Sequence, residues 1–213
     1  MNSQTTMTHM PGPVGVLELA IDLPVQTPIG TAVIAHPHPL FGGTLHNKVV
    51  QTLARACVQA GWRTVRFNFR GVGGSAGEHA NGVGEVDDLL AIIQAQAPEG
   101  LLVMAGFSFG AMVSARAVHA LCQQAGELVA ERLRHLMLVG TAASRFEVPA
   151  VPAHLHDRTL VVHGEVDDTV PLASVIDWAR PQHLPVTVVP GVEHFFHGQL
   201  PLLKSLALRH LRG

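Results

Sequence analysis

Residues Leu101 to Val113 read LLVMAGFSFGAMV, and the interpretation of the whole chain turns on them. Leu101 to Phe107 form an apolar run of the length expected for a buried strand. Beyond it, Ala111, Met112, Ala115, Val118 and Cys122 recur at three- and four-residue spacing, the period of a helix with one buried face. Between the two lies Gly106-Phe107-Ser108-Phe109-Gly110. A turn this sharp needs glycine two residues either side of the serine, because a side chain there meets the neighbouring strand or helix. The serine hydroxyl is thereby held proud of the sheet, and the Phe109 N–H lies at a helix N-terminus, where negative charge is stabilised. Glycine is abundant here, at 21 residues, so the string alone carries little; the flanking strand and helix make this copy specific.

Working outward, strands and helices alternate on both sides. Strands are expected over Val16 to Leu23, Thr31 to His36 and Thr64 to Phe69, with helices over Leu45 to Ala60 and Gly84 to Gln96. Downstream come strands at Leu136 to Gly140, Thr159 to His163 and Val186 to Val189, and helices at Leu172 to Ala179 and Leu200 to Leu211. Such alternation specifies an α/β fold, a mostly parallel sheet with helices on both faces. Residues 1 to 13 are polar and then punctuated by proline and glycine, so they are expected to form a loose tail ahead of a single domain spanning Val14 to Gly213.

The 213 residues are 47% hydrophobic and 14% charged, which suits one domain with a substantial core. A net charge of −2 and no basic run leave no electrostatic footprint for nucleic acid or an anionic membrane, so a small molecule is the expected partner. The longest apolar run is the stretch quoted above, too short and too interrupted to span a bilayer. The opening MNSQTTMTHMPGPVG has no basic segment followed by an apolar one, so no secretion signal is expected. Cys57 and Cys122 each fall among apolar neighbours in expected helices and read as free buried thiols, in keeping with a reducing cytoplasm.

Ligands of open parallel sheets sit beyond the carboxyl ends of the strands, so the loops at those ends should hold the chemistry. The first is HPHPLFGGTLHN, His36 to Asn47. His36 and His38 are two apart on an extended segment, but no third ligand with sensible spacing accompanies them, and neither metal nor cofactor is expected. The loop reads instead as a rigid segment that supplies a backbone donor to an oxyanion. Pro37 and Pro39 have no N–H, which leaves His38, Leu40 and Phe41, with Leu40 favoured.

The second loop, Arg70 to Gly77, holds two decoys. Gly73 to Gly77 repeats G-x-S-x-G around Ser75, away from any strand end. Gly71-x-Gly73-x-x-Ala76 imitates a dinucleotide fingerprint with no helix to receive a pyrophosphate. Arg70 reads as a residue that ties this loop down. Only 18 residues, Thr141 to Arg158, separate the next two strands, which leaves room for Phe146 and a loop but not for a cap. The last two strand ends carry Asp167-Asp168 and then His194, with His197 close behind.

A serine hydroxyl needs a neutral imidazole to take its proton, and that imidazole needs a carboxylate to fix its tautomer. The chain order serine, acid, histidine belongs to one fold among the unrelated ones that host this chemistry. On these residues the chain from about Val14 onward resembles the α/β-hydrolase superfamily. More narrowly it is similar to the small, lidless, dienelactone-hydrolase-like members, through HPHPLFGGTLHNKVV, FNFRGVGGSAG, GFSFG, HGEVDDTVP and VEHFFHG.

The resemblance implies an α/β-hydrolase fold without a cap domain. It implies Ser108 as nucleophile, His194 as base and Asp167 as acid, since the family pattern G-x-x-D-x-x-V-P puts its acid there. Asp168 is the fallback for the acid and His197 for the base. The implied reaction is cleavage of a small acyl ester through an acyl-enzyme, with the oxyanion held by the amides of Phe109 and Leu40. Phe41, Phe146 and Phe195 are expected to line the acyl pocket. A serine rather than an aspartate at the apex argues against dehalogenase or epoxide hydrolase chemistry. The alternatives are a serine peptidase, a thioesterase or a non-catalytic ligand-binding member.

Overall fold

A computed structural model describes residues 5–125 and 131–213. Its strands are, in chain order, β1 (Thr6–Gly12), β2 (Gly15–Asp22), β3 (Gly30–Ala35), β4 (Arg63–Phe67), β5 (Leu101–Phe107), β6 (Leu133–Val139), β7 (Thr159–Gly164) and β8 (Val186–Val189). The helices are α1 (Lys48–Gln59), α2 (Gly84–Gln96), α3 (Phe109–Ala125), α4 (Leu172–Ala179) and α5 (Leu200–Arg212). All eight strands join one sheet in the order β1-β2-β4-β3-β5-β6-β7-β8. The β1–β2 and β2–β4 pairs are antiparallel, and every pair from β4 to β8 is parallel. No cap domain covers the sheet among the described residues.

β5 lies at the centre, hydrogen-bonded to β3 and β6. It is buried on both faces, which is why its sequence is an unbroken apolar run rather than an alternation. Leu102 and Met104 pack on one side with Leu89 and Ile92 of α2, Ala111, Met112, Ala115 and Val118 of α3, and Val175 and Ala179 of α4. Val103, Ala105 and Phe107 pack on the other with Val49, Val50 and Leu53 of α1 and Leu203, Ala207 and Leu211 of α5. Each fully buried aliphatic or aromatic side chain contributes about 1.5–3 kcal/mol, so the two helical layers fix the plane from which the strand-end loops rise.

The expected tail is corrected over Thr6 to Gly12. These residues pair with β2 residue by residue, from Thr6 opposite Ile21 to Gly12 opposite Gly15. An antiparallel edge strand can be polar on its outer face, so TMTHMPG lacks the apolar signature of the inner strands. Met10, 9% exposed and packed with Leu17, is its anchor in the core. Pro11 sits where an edge strand tolerates a missing donor. Residues 1–4 of the expected tail lie outside the described residues.

α1 begins three residues later than expected, because the Asn47 side chain accepts the N–H groups of Val49 and Val50 at 2.9 and 3.3 Å and so caps the helix. Leu45 is left in the preceding loop, its N–H donated to the Asn68 side chain at 2.8 Å. Cys57 and Cys122 are both free, the first buried and the second partly so, and burial pushes the Cys57 thiol up to about 12. No helix among the described residues is long and apolar enough to cross a membrane.

The loop after β4 is tied down by more than Arg70. Ser75 Oγ donates to the Asn68 carbonyl at 2.7 Å and accepts the Glu18 N–H at 2.9 Å, while the Glu18 carboxylate accepts the Gly74 N–H at 2.8 Å. The second G-x-S-x-G is therefore a structural tie between β2 and this loop. Arg70 anchors the start of the loop to α2. Its guanidinium pairs with Asp88 at 2.7 Å and its own N–H donates to the same carboxylate at 3.0 Å. The Asp88 side chain is fully buried and that of Arg70 is 9% exposed, so removing the carboxylate leaves a largely buried guanidinium without its hydrogen-bonded partner. Asp88→Ala is expected to lower the unfolding free energy by about 3–5 kcal/mol. Denaturant titration checks this, and a change under about 1 kcal/mol contradicts the anchoring role.

Candidate active site

Ser108 sits between β5 and α3 with a left-handed backbone, φ 57°. Such a conformation costs a non-glycine residue on the order of 1–3 kcal/mol and persists only where neighbours enforce it. Here they do. The Ser108 N–H donates to the Val139 carbonyl at 2.8 Å, and its carbonyl accepts the N–H groups of Ala111 and Met112 at 3.1 and 3.2 Å. A Cβ on Gly106 would lie 2.2 Å from the Gly110 carbonyl oxygen, and one on Gly110 would lie 2.5 Å from the carbonyl oxygens of both Ala35 and His36. The two glycines are thus required by contact with helix and neighbouring strand respectively.

The loops after β7 and β8 bring their side chains to this apex. Asp167 Oδ2 accepts the His194 Nδ1–H at 2.6 Å, so the lone pair of that ring is on Nε2, which accepts the Ser108 hydroxyl at 3.0 Å. Asp167 and His194 are buried, 6% and 1% exposed, and Ser108 is 7% exposed. The imidazole is held between rings, 4.8 Å from Phe107 and 5.1 Å from Phe195 between centroids.

Asp167 is fixed on its other oxygen by the N–H groups of Thr169 and Val170 at 3.0 and 2.7 Å. Burial by itself would raise its pKa. The hydrogen bonds from His194 and Val170, with the nearby His194 and His163 rings, outweigh that and hold the carboxyl below its ordinary range. The two fallback residues are turned elsewhere. Asp168 is exposed and, among the described residues, accepts only the Thr169 hydroxyl, at 3.3 Å. The exposed His197 ring pairs with Glu193 at 3.1 Å.

Two buried histidines that the sequence pattern leaves unassigned support these loops. His163 Nε2–H donates to the Val170 carbonyl at 2.8 Å and lies 3.4 Å from Asp167, beneath the acid. Its signal in the sequence is a histidine closing the apolar strand Leu160-Val161-Val162. His36 Nε2 accepts the Phe69 N–H at 3.0 Å, so its Nδ1–H donates to the Pro37 carbonyl at 2.6 Å. Both ring nitrogens are thereby committed to the fold, which removes His36 as a metal ligand.

The loop after β3 corrects one expectation. Leu40, expected as the second oxyanion donor, gives its N–H to His38 Nδ1 at 3.2 Å and is 70% exposed, because Pro39 to Phe41 wind into a 3₁₀ turn capped by the His38 side chain. The Phe41 N–H is also taken, by the His38 carbonyl at 3.1 Å. Of the three candidates only the His38 amide is uncommitted among the described residues. A Cβ on Gly43 would lie 2.0 Å from the Pro37 carbonyl oxygen, so the loop closes on itself only with glycine there.

Above Ser108 opens a cleft of about 240 Å³. Phe41, Phe146 and Phe195 line it, as do Phe109, His38 and Arg145, while Leu40 does not. The Phe109 ring lies 4.9 Å from His38 and 5.4 Å from Phe146, which makes one wall aromatic.

A family model described as alpha/beta hydrolase fold matches residues 38–157. The chain is 38% identical to XC6422 from Xanthomonas campestris, described as an α/β serine hydrolase without a lid, with a TM-score of 0.85 over 100% of this chain and 95% of that one. It is likewise 38% identical to an α/β serine hydrolase homologue from Coxiella burnetii, with a TM-score of 0.79 over 99% of this chain and 98% of that one. An uncharacterized protein of Rickettsia prowazekii (strain Madrid E) is 43% identical over 93 residues, 41% of this chain, and the match spans only 38% of that protein's length.

The buried neutral histidines leave a signature in stability. Burial, partly opposed by the Pro37 carbonyl and reinforced by His38, lowers His36 to about 4, and burial lowers His163 as well. An unfolded histidine titrates near 6.5, so below that pH the unfolded chain takes up a proton that folded His36 refuses. The His36 contribution is full above about pH 6.5, falls as pH drops through the window, and levels off below about pH 4. His36 alone accounts for about 3 kcal/mol of this loss. Denaturant titrations at about pH 7 and about pH 4.5 measure it, with His36→Asn showing the shallower dependence; equal slopes in the two proteins contradict the assignment.

Proposed function

The chain belongs to the α/β-hydrolase fold family, and from that membership we propose that it is a serine hydrolase that cleaves a small carboxylic ester through an acyl-enzyme. One observation carries the reading: the unbroken line of buried hydrogen bonds from Ser108 Oγ through the His194 ring to Asp167, at 3.0 and 2.6 Å. In this reading His194 Nε2 takes the Ser108 proton as the hydroxyl attacks the ester carbonyl, and Asp167 stabilises the imidazolium. His194 then returns the proton to the departing alkoxide. In the second half it draws a proton from water, which attacks the acyl-enzyme and frees Ser108.

The tetrahedral oxyanion needs preorganised donors. The proposed pair is the Phe109 N–H, at the start of α3, and the His38 N–H, replacing the Leu40 amide favoured by sequence. His36 aligns the second of these by gripping the Pro37 carbonyl one residue earlier.

The small volume and aromatic lining favour a short acyl group. A peptidase that recognises a substrate amine needs a carboxylate in the cleft, and none lines it among the described residues. Glu165, which accepts the Gly191 N–H, and Glu193, which accepts those of Phe195 and His197, both lie outside its lining. Free thiols at Cys57 and Cys122 suit a reducing compartment, and a cytoplasmic location goes with the proposal.

Steady-state hydrolysis of para-nitrophenyl acetate and butyrate tests the assignment. Ser108→Ala and His194→Ala are expected to lose about a million-fold in turnover, and Asp167→Asn about ten-thousand-fold. Asp168→Asn should stay within about two-fold of the parent, as expected for an exposed carboxylate outside the relay. Retained activity in Ser108→Ala, or equal losses in the two aspartate variants, refutes these roles.

A further inference from the structure

We propose that Arg145 and the His38 ring form a subsite for a carboxylate carried by the substrate, away from the ester bond that is cleaved. The inference rests on the hydrolase reading above and adds a substrate class to it. Among the described residues Arg145 is the one arginine or lysine lining the cleft, whose other walls are aromatic, aliphatic or uncharged apart from the histidines. No carboxylate of the described chain pairs with it. Arg145 is an exposed residue, and it lines the cleft with no ion-pair partner among the described residues.

His38 supplies a second donor beside it. Its Nδ1 accepts the Leu40 N–H, so the ring proton is on Nε2, which has no partner among the described residues. Stacking against Phe41 and His79, each at 4.8 Å, and Phe109 at 4.9 Å holds the ring in place. Burial first, then the neighbouring His79 and Arg145 side chains, lower its pKa against the opposing pull of Glu85, and the lowered pKa favours the neutral donor form. A fixed neutral donor next to a planar cationic fork matches a carboxylate, whose two oxygens can take the guanidinium and the imidazole together. A neutral ester can accept hydrogen bonds on that wall but brings no negative charge to pair with the guanidinium.

Two pairs of near-isosteric esters locate the carboxylate. Para-nitrophenyl hydrogen glutarate against para-nitrophenyl valerate puts it on the acyl chain. Para-(carboxymethyl)phenyl butyrate against para-ethylphenyl butyrate puts it on the leaving group. The readout is the ratio of kcat/KM within each pair, so that any general loss of activity in a variant cancels. The parent protein should favour the anionic member of one pair by about ten-fold over what Arg145→Gln shows, Arg145→Glu should reverse the preference, and added salt should compress it. Ratios that are the same in the parent and Arg145→Gln for both pairs overturn the subsite and leave the esterase reading standing. If the parent turns over none of the four esters, calorimetric binding to Ser108→Ala decides. Tighter binding of a carboxylated ester that depends on Arg145 upholds the subsite and removes the esterase reading, and equal binding removes both.

Discussion

The left-handed backbone at Ser108 is the constraint on which the rest of the structure depends. A residue with φ near 57° is stable here only because two elements grip it: β6 through the Val139 carbonyl, and α3 through the Ala111 and Met112 amides. Those bonds need strand, helix and neighbouring strand to approach closer than any side chain permits, which the absence of Cβ atoms at Gly106 and Gly110 allows. The same closeness points the hydroxyl out of the sheet and leaves the first amides of α3 unpaired beneath it. Position and electrostatics of the proposed nucleophile are thus two results of one backbone conformation.

Around that apex the chain uses buried histidines as neutral struts. His36 bridges the Phe69 amide and the Pro37 carbonyl, joining two strand-end loops. His163 supports the Val170 carbonyl beneath Asp167. The His36 ring does with its two nitrogens what a backbone pair does in a sheet, accepting at one and donating at the other, and it does so only while uncharged. His194 differs in joining the Asp167 carboxylate on one ring nitrogen to the Ser108 hydroxyl on the other, which is the physical distinction between a structural histidine and a candidate base.

Much of this was legible in the sequence. The β5–turn–α3 stretch announced itself through two hydrophobic periods meeting at a glycine-flanked serine, and the alternation around it specified the parallel sheet. The loops bearing Asp167 and His194 could be located because they follow strands whose apolar runs are unmistakable. What escaped was set by contacts without a local pattern. β1 is held by backbone pairing with β2 and a single buried methionine, so its polar sequence resembles a tail. The engagement of the Leu40 amide depends on the His38 side chain folding back over a 3₁₀ turn, an event of geometry rather than composition. The choice between Asp167 and Asp168 needed the family pattern, since adjacent aspartates are chemically alike; in the fold one is buried against His194 and the other faces outward.

The most direct measurement is peptide mapping by mass spectrometry after treatment with a fluorophosphonate, a reagent that reacts with a serine only when a neighbouring base has activated it. A single phosphonyl adduct on the peptide containing Ser108, abolished when His194 is replaced by alanine, is the expected result. Labelling that persists without His194, or that falls on Ser75 or another serine, would contradict the proposal that the elbow, the ring and the acid work as one unit.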